Sequence, residues 1–86
     1  MIFLVLTKEY HDMNEQELAL AFGRNLRFKR KKSGITQQGL AEKAGVTRVY
    51  IGLIERGETS ITLEKVYRLA IALECDVLDL LPRLPD

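Results

Sequence analysis

The sequence predicts an all-α fold of five helices, and three observations carry that expectation. Apolar residues recur at helical spacing across most of the chain after residue 14. A side chain suited to capping precedes each of five segments: Asn14, Thr36, Thr47, Thr62 and Asp76. Glycine follows the first three, at Gly34, Gly45 and Gly57. With 86 residues, the chain holds one domain, over residues 14–82, preceded by an extension at 1–13 and followed by a tail at 83–86. A core this small supplies only a few kcal/mol, so dimerisation is expected before any motif is read.

The extension opens with Met1-Ile2-Phe3-Leu4-Val5-Leu6, rich in strand formers. It carries no basic leader and no small-residue cleavage site, so it does not resemble a signal peptide, and it is too short to span a bilayer. A cytoplasmic protein is expected. Three alternatives stand for the run: a strand paired with its two-fold mate, a segment packed on the fourth or fifth helix, or a vestige of an upstream start. An unpaired apolar strand invites aggregation, which favours pairing. Tyr10-His11-Asp12-Met13-Asn14 is a polar connector.

Asn14 caps the first helix, whose opening turn carries Glu15 and Glu17 at the positive end of the helix dipole. Leu18, Phe22, Leu26 and the alkyl stem of Lys29 form its inward stripe, with Ala19 and Ala21 alongside, and it runs to about residue 32. Thr36 caps a short second helix with Leu40, Ala41 and Ala44 inward. Val46 plugs the turn after Gly45, and Thr47 caps a third helix with Ile51 and Ile54 inward. Thr62 caps a fourth over residues 63–74, buried through Val66, Leu69, Ala70 and Leu73. Asp76 caps a last short helix over residues 77–81, ended by Pro82.

The formal charge of +1 conceals a strong asymmetry. Residues 21–57 hold Arg24, Arg27, Lys29, Arg30, Lys31, Lys32, Lys43, Arg48 and Arg56 against Glu42 and Glu55, a net +7. Each flank carries −3. A basic block between acidic flanks attracts phosphate and steers association. For the run from Arg24 to Lys32 a blander account also stands, because cations favour a helix C-terminus. The lone Cys75, on an apolar helix face, is core filling, and nothing points to an oxidising compartment.

Two short helices joined by a three-residue turn form a helix-turn-helix unit over residues 37–56. Its demanding positions are steric. Ala41 must be small where the third helix crosses it, and Gly45 must turn the chain with positive φ. Leu40, Ala44, Val46, Ile51 and Ile54 must be apolar to fix the angle between the helices. All seven conditions are met.

The segment Thr36-Gln37-Gln38-Gly39-Leu40-Ala41-Glu42-Lys43-Ala44-Gly45-Val46-Thr47-Arg48-Val49-Tyr50-Ile51-Gly52-Leu53-Ile54-Glu55-Arg56-Gly57 resembles the Cro/CI (XRE-type) repressor family. The likeness extends upstream through Phe22-Gly23-Arg24-Asn25-Leu26-Arg27 and Arg30, and downstream through Ile61-Thr62-Leu63-Glu64 and Leu69-Ala70 to Leu80-Leu81. It implies a five-helix, lambda-repressor-like DNA-binding domain whose partner is double-stranded DNA and whose third helix enters the major groove.

Helical spacing from Ile51 and Ile54 then puts Thr47, Arg48, Val49, Gly52 and Leu53 on the base-reading side. Arg48 is suited to guanine O6 and N7, Val49 and Leu53 to thymine methyls, and Gly52 to close approach. Family resemblance assigns Gln37 to a phosphate, and a helix N-terminus favours anions on physical grounds. Gln38, Tyr50, Arg56, Thr59 and Ser60 are further phosphate candidates. The resemblance also implies that Arg30 and Glu55 pair as a partly buried salt bridge. Two departures matter: Lys29 stands where the family often has an apolar residue, and Val49, Gly52 and Leu53 make the reading face unusually apolar. Operator shape and deformability then take a larger share of specificity.

Val77, Leu78, Leu80 and Leu81 give the last helix more apolar surface than one side of a core covers, and the resemblance makes them a homodimer interface, the alternative being that they only seal the monomer. A two-fold pair of third helices reads an inverted repeat with half-sites about 34 Å apart. An enzyme is disfavoured: His11 is the sole histidine, it lies far in sequence from Cys75, and no metal-ligand spacing or glycine-rich phosphate loop is present. No cofactor, small-molecule ligand or membrane partner is expected. The competing class is an antitoxin-like interaction module that also binds its own promoter. Within the regulators, Arg48-Val49-Tyr50-Ile51-Gly52-Leu53-Ile54-Glu55-Arg56-Gly57 with Ile61-Thr62-Leu63 resembles controller proteins of restriction–modification systems, and a phage-type repressor fits nearly as well.

Overall fold

The computed structural model describes residues 13–83; the strand expected in the N-terminal extension and the sole histidine, His11, lie outside the described residues. Four α-helices follow one another: α1 (Glu15–Lys32), α2 (Gln37–Ala44), α3 (Arg48–Glu55) and α4 (Leu63–Ala72). A single 3-10 turn, Val77–Asp79, comes after them. Among the described residues there is no strand, and no helix is long and apolar enough to cross a membrane.

Each α-helix begins at a side chain that accepts from an otherwise orphaned N–H. Asn14 Oδ1 takes the Glu17 N–H at 2.8 Å and Thr36 Oγ1 takes that of Gly39 at 2.9 Å. Thr47 and Thr62 do the same for Tyr50 and Lys65, at 3.1 and 3.3 Å. Caps of this kind each contribute about 1 kcal/mol. At the other end, α3 is closed by Gly57 at φ 70°, with the Glu58 N–H donating to the Leu53 carbonyl at 2.9 Å. The same closing bond ends α4, from Cys75 N–H to the Ala70 carbonyl at 3.0 Å, but Glu74 occupies the left-handed position at φ 53°. A Cβ there costs about 1 kcal/mol. Helix α4 therefore stops at Ala72, earlier than its apolar periodicity predicts.

The expected fifth helix is a correction. Between the Asp76 cap and Pro82 there is room for only one turn, and the residue before a proline is pushed out of the helical region. The chain forms a 3-10 turn closed by a capping box, in which the Asp76 side chain accepts from Leu78 N–H at 2.9 Å and Asp79 accepts from Asp76 N–H at 3.2 Å.

The core draws on every element. Leu26 of α1, Leu40 of α2, Ile51 of α3 and Leu80 after the 3-10 turn have no exposed surface, and Phe22, Ile54, Val66, Leu69 and Leu73 fill in around them. Leu18, expected inward, is 46 % exposed and borders an open groove with Phe22, Ile61, Val66 and Leu81. Lys29 is half-buried and its ammonium pairs with Asp79 at 3.7 Å, beside the turn. Cys75 packs half-buried against the core, and burial pushes its thiol pKa up.

Helix α1 crosses the end of α3 at Gly23. A Cβ on Gly23 would fall against the Ile54 carbonyl oxygen and within 2.7 Å of that of Glu55. Only glycine lets the two backbones touch here.

Candidate nucleic-acid interface

Helices α2 and α3, eight residues each, meet around Gly45-Val46-Thr47. Gly45 is left-handed at φ 70°, Ala41 is buried at the crossing, and Val46 packs against the core from the turn. Rigid packing beneath α3 leaves its first turn outside: Thr47, Arg48 and Val49 are all exposed, Val49 at 65 %.

Behind that turn lies a chain of polar side chains. Arg30 and Glu55 pair in a fork, Nε to Oε2 at 2.6 Å and an Nη2 donor to Oε1 at 3.1 Å, with side chains only 10 % and 3 % exposed. Arg30 Nη1 also donates to the Ile35 carbonyl at 2.9 Å, so one guanidinium ties α1, the approach to α2 and the end of α3. Gln37 Nε2 donates to Glu55 Oε1 at 3.0 Å, while its Oε1 accepts from Arg48 Nη1 at 3.2 Å. Among the described residues no buried side-chain polar atom is left without a partner. A fully satisfied network rigidifies where a half-satisfied one destabilises.

Several expectations need adjusting. Gly52 is buried rather than on the open face: Arg56, one turn on, folds back so that a Cβ on Gly52 would meet its Nη1 at 3.0 Å. Glycine at 52 therefore makes room for the Arg56 guanidinium. Leu53 is half-buried. Leu80, expected at a dimer interface, is withdrawn into the core, because the 3-10 turn rotates it inward and its carbonyl accepts from Asn25 Nδ2 at 3.0 Å. Of its three companions, Leu78 is 71 % exposed, Leu81 is partly exposed and Val77 leans on the core.

The phosphate candidates other than Thr59 and Ser60 divide between the two flanks of α3, and those two lie with Arg56 beside the start of α1. On one side Arg27, Arg30, Thr36, Gln37, Gln38, Arg48, Glu55 and Arg56 surround an open cleft between α1 and α3. Gln38 Nε2 donates along its own helix to Glu42 Oε2 at 3.0 Å, and Arg56 pairs with Glu58 at 3.1 Å on the surface. On the other side Tyr50, half-buried, stands with Val46, Thr47, Thr62 and Lys65. Thr59 donates to the Ser60 carbonyl at 3.2 Å, and Ser60 is exposed.

Three contributors escaped the sequence reading. Arg68 donates to Glu64 at 2.9 and 2.7 Å and reaches the last carbonyl of α2, at Ala44, at 3.5 Å. Its hydrogen bonds hold the Glu64 carboxyl below the usual carboxylate range, and the four-residue spacing was the legible signal. Asn25 fastens the chain after the turn, which no local pattern announces. Arg27 was read as part of the basic block and of the family resemblance, with no site role.

Known proteins are similar to this chain in sequence and in fold. Residues 26–80 match the Helix-turn-helix family HTH_3. Control protein C.SmaI of Serratia marcescens is 42 % identical over 59 residues, 69 % of this chain and 70 % of that protein. The restriction-modification controller protein C.AhdI from Aeromonas hydrophila superposes with a TM-score of 0.70 at 35 % identity, over 72 % of this chain and 94 % of that one. The clp gene regulator ClgR from C. glutamicum does so at 0.71 and 33 % identity, over 73 % and 82 %. Matching the family over most of its length, the chain belongs to the helix-turn-helix proteins of the XRE type, DNA-binding regulators of transcription.

Proposed function

We propose that the protein reads an inverted-repeat operator as a homodimer, placing one α3 in the major groove of each half-site. The observation that carries this reading is the setting of Arg48. It stands exposed on the first turn of α3, and Gln37 holds it through Glu55 to the buried Arg30. A guanidinium held this way presents two donors to guanine O6 and N7 without first losing its own freedom. Val49 beside it offers a methyl-sized apolar contact to thymine.

Exposed Leu78 and Leu81 support the dimer, since apolar side chains left outside a small core gain by meeting a second copy. The relatives described as control or controller proteins favour restriction–modification genes as the regulated set, with response set by protein concentration acting on dimer occupancy. Selection of bound duplexes from a random pool at near-physiological salt tests this. Enrichment of an inverted repeat with half-sites one helical turn apart is the expected result. Binding that is salt-sensitive but blind to sequence overturns it.

A further inference from the structure

We propose that the open groove beside α1 is covered by the chain's own apolar run, Met1-Ile2-Phe3-Leu4-Val5-Leu6. This goes beyond DNA reading, does not depend on it, and gives a place to the one apolar motif which that function leaves unused. Three stretches distant in sequence build the groove. Leu18 and Phe22 come from the opening turns of α1, Ile61, Leu63 and Val66 from the approach to α4 and its start, and Leu81 from the end of the fold. Phe22 and Val66 are buried, whereas Leu63 is 70 % exposed and Leu81 38 %. The only polar walls among the described residues are Glu15 and Ser60. An apolar surface of this kind is stabilised by whatever removes it from water.

The occupant follows from where the chain enters. Met13 is the first described residue, and Glu15, two positions on, already lines the groove. Leu6 precedes Met13 by seven positions, a tether that reaches at most about 25 Å when extended. Along α1 the groove runs only from Glu15 to Phe22, about 10 Å at the helical rise. The run therefore reaches every wall, with length left for the chain to turn back on itself. Composition agrees, because the six apolar residues stand together while the connector after them carries Lys8, Glu9 and Asp12. A second copy meets the groove only at its solution concentration, whereas a run on so short a tether is present at about millimolar effective concentration. Leu78 does not line the groove and is left to the dimer.

Two measurements on the full chain test this. In a Cys75→Ala background, Ile2→Cys, Leu4→Cys or Leu6→Cys is combined with Ala19→Cys in the groove, or with Phe28→Cys, exposed further along α1, as control. Oxidised glutathione is expected to join at least one run position to Ala19→Cys within one chain, about tenfold or more faster than to Phe28→Cys. In the second measurement, Phe3→Ser with Leu4→Ser, and separately Leu18→Ser, are each expected to lower Tm by about 4–8 °C. The variant carrying all three is expected to lose clearly less than the sum, because both changes remove the same contact. Equal oxidation rates at the two helix positions overturn the proposal, and so do Tm losses that simply add. Disulfides formed chiefly between chains overturn the own-chain assignment and give the groove to the run of a second copy.

Discussion

Gln37 joins Arg48 to Glu55: its amide oxygen takes the Arg48 guanidinium at 3.2 Å while its amide nitrogen gives to the Glu55 carboxylate at 3.0 Å. The exposed end of α3 and the buried pair at its far end are therefore linked through the first residue of α2. Gln37→Leu breaks both bonds and frees Arg48 to sample other rotamers. Stability is expected to fall by only about 1 kcal/mol, whereas preference for the selected duplex over a scrambled one falls several-fold. Competition binding of the two duplexes measures it.

Arg30 and Glu55 are expected to dominate stability among the polar groups. Removing either by alanine leaves the other buried and unpaired, at about 3–5 kcal/mol. Replacing both with apolar residues of similar volume, as in Arg30→Met with Glu55→Leu, is expected to cost much less than the two single losses combined. Urea unfolding of Arg30→Met, Glu55→Leu and the variant carrying both closes the double-mutant cycle.

Gly23→Ala is predicted to be as damaging as a large core truncation, although it adds a single methyl. That methyl falls against two backbone carbonyls, which cannot rotate away, so α1 and α3 must separate. A loss of about 3 kcal/mol is expected, seen as a lowered Tm.

The structure separates two leucines that the sequence grouped. Leu80→Ala opens a cavity beneath Asn25 and is predicted to cost about 2–5 kcal/mol at any protein concentration. Leu78→Asp alters only an exposed position, so it is expected to leave secondary structure intact while shifting sedimentation toward the monomer. Dimers that persist unchanged in Leu78→Asp place the interface elsewhere.

Much of this was legible because capping and binary patterning are local. Asn14, Thr36, Thr47 and Thr62 announced four helix starts, and Ala41, Gly45 and Val46 announced the angle between α2 and α3. What failed was set by other forces. The end of α4 depends on Glu74 accepting a left-handed backbone, which no propensity favours. The last segment had the apolar spacing of a helix, but Pro82 left it room for one turn, and that turn moved Leu80 from surface to core. Gly52 lay on the outer face by spacing alone, and the folded-back Arg56 covers it. Family resemblance supplied the Arg30–Glu55 pair; Gln37 as the link between it and Arg48 needed coordinates.

The central claim is that Arg48 reads a base rather than a phosphate, and one ratio tests it most directly. Affinities of wild type and Arg48→Ala are measured at one salt concentration for the selected duplex and for a variant changed at the guanine of each half-site. Wild type is expected to prefer the selected duplex by about tenfold to a hundredfold for each guanine read. Arg48→Ala is expected to bind both duplexes alike, while its affinity for scrambled DNA changes little. If Arg48→Ala keeps the wild-type preference and merely weakens every duplex equally, Arg48 holds a phosphate and the base-reading account is contradicted.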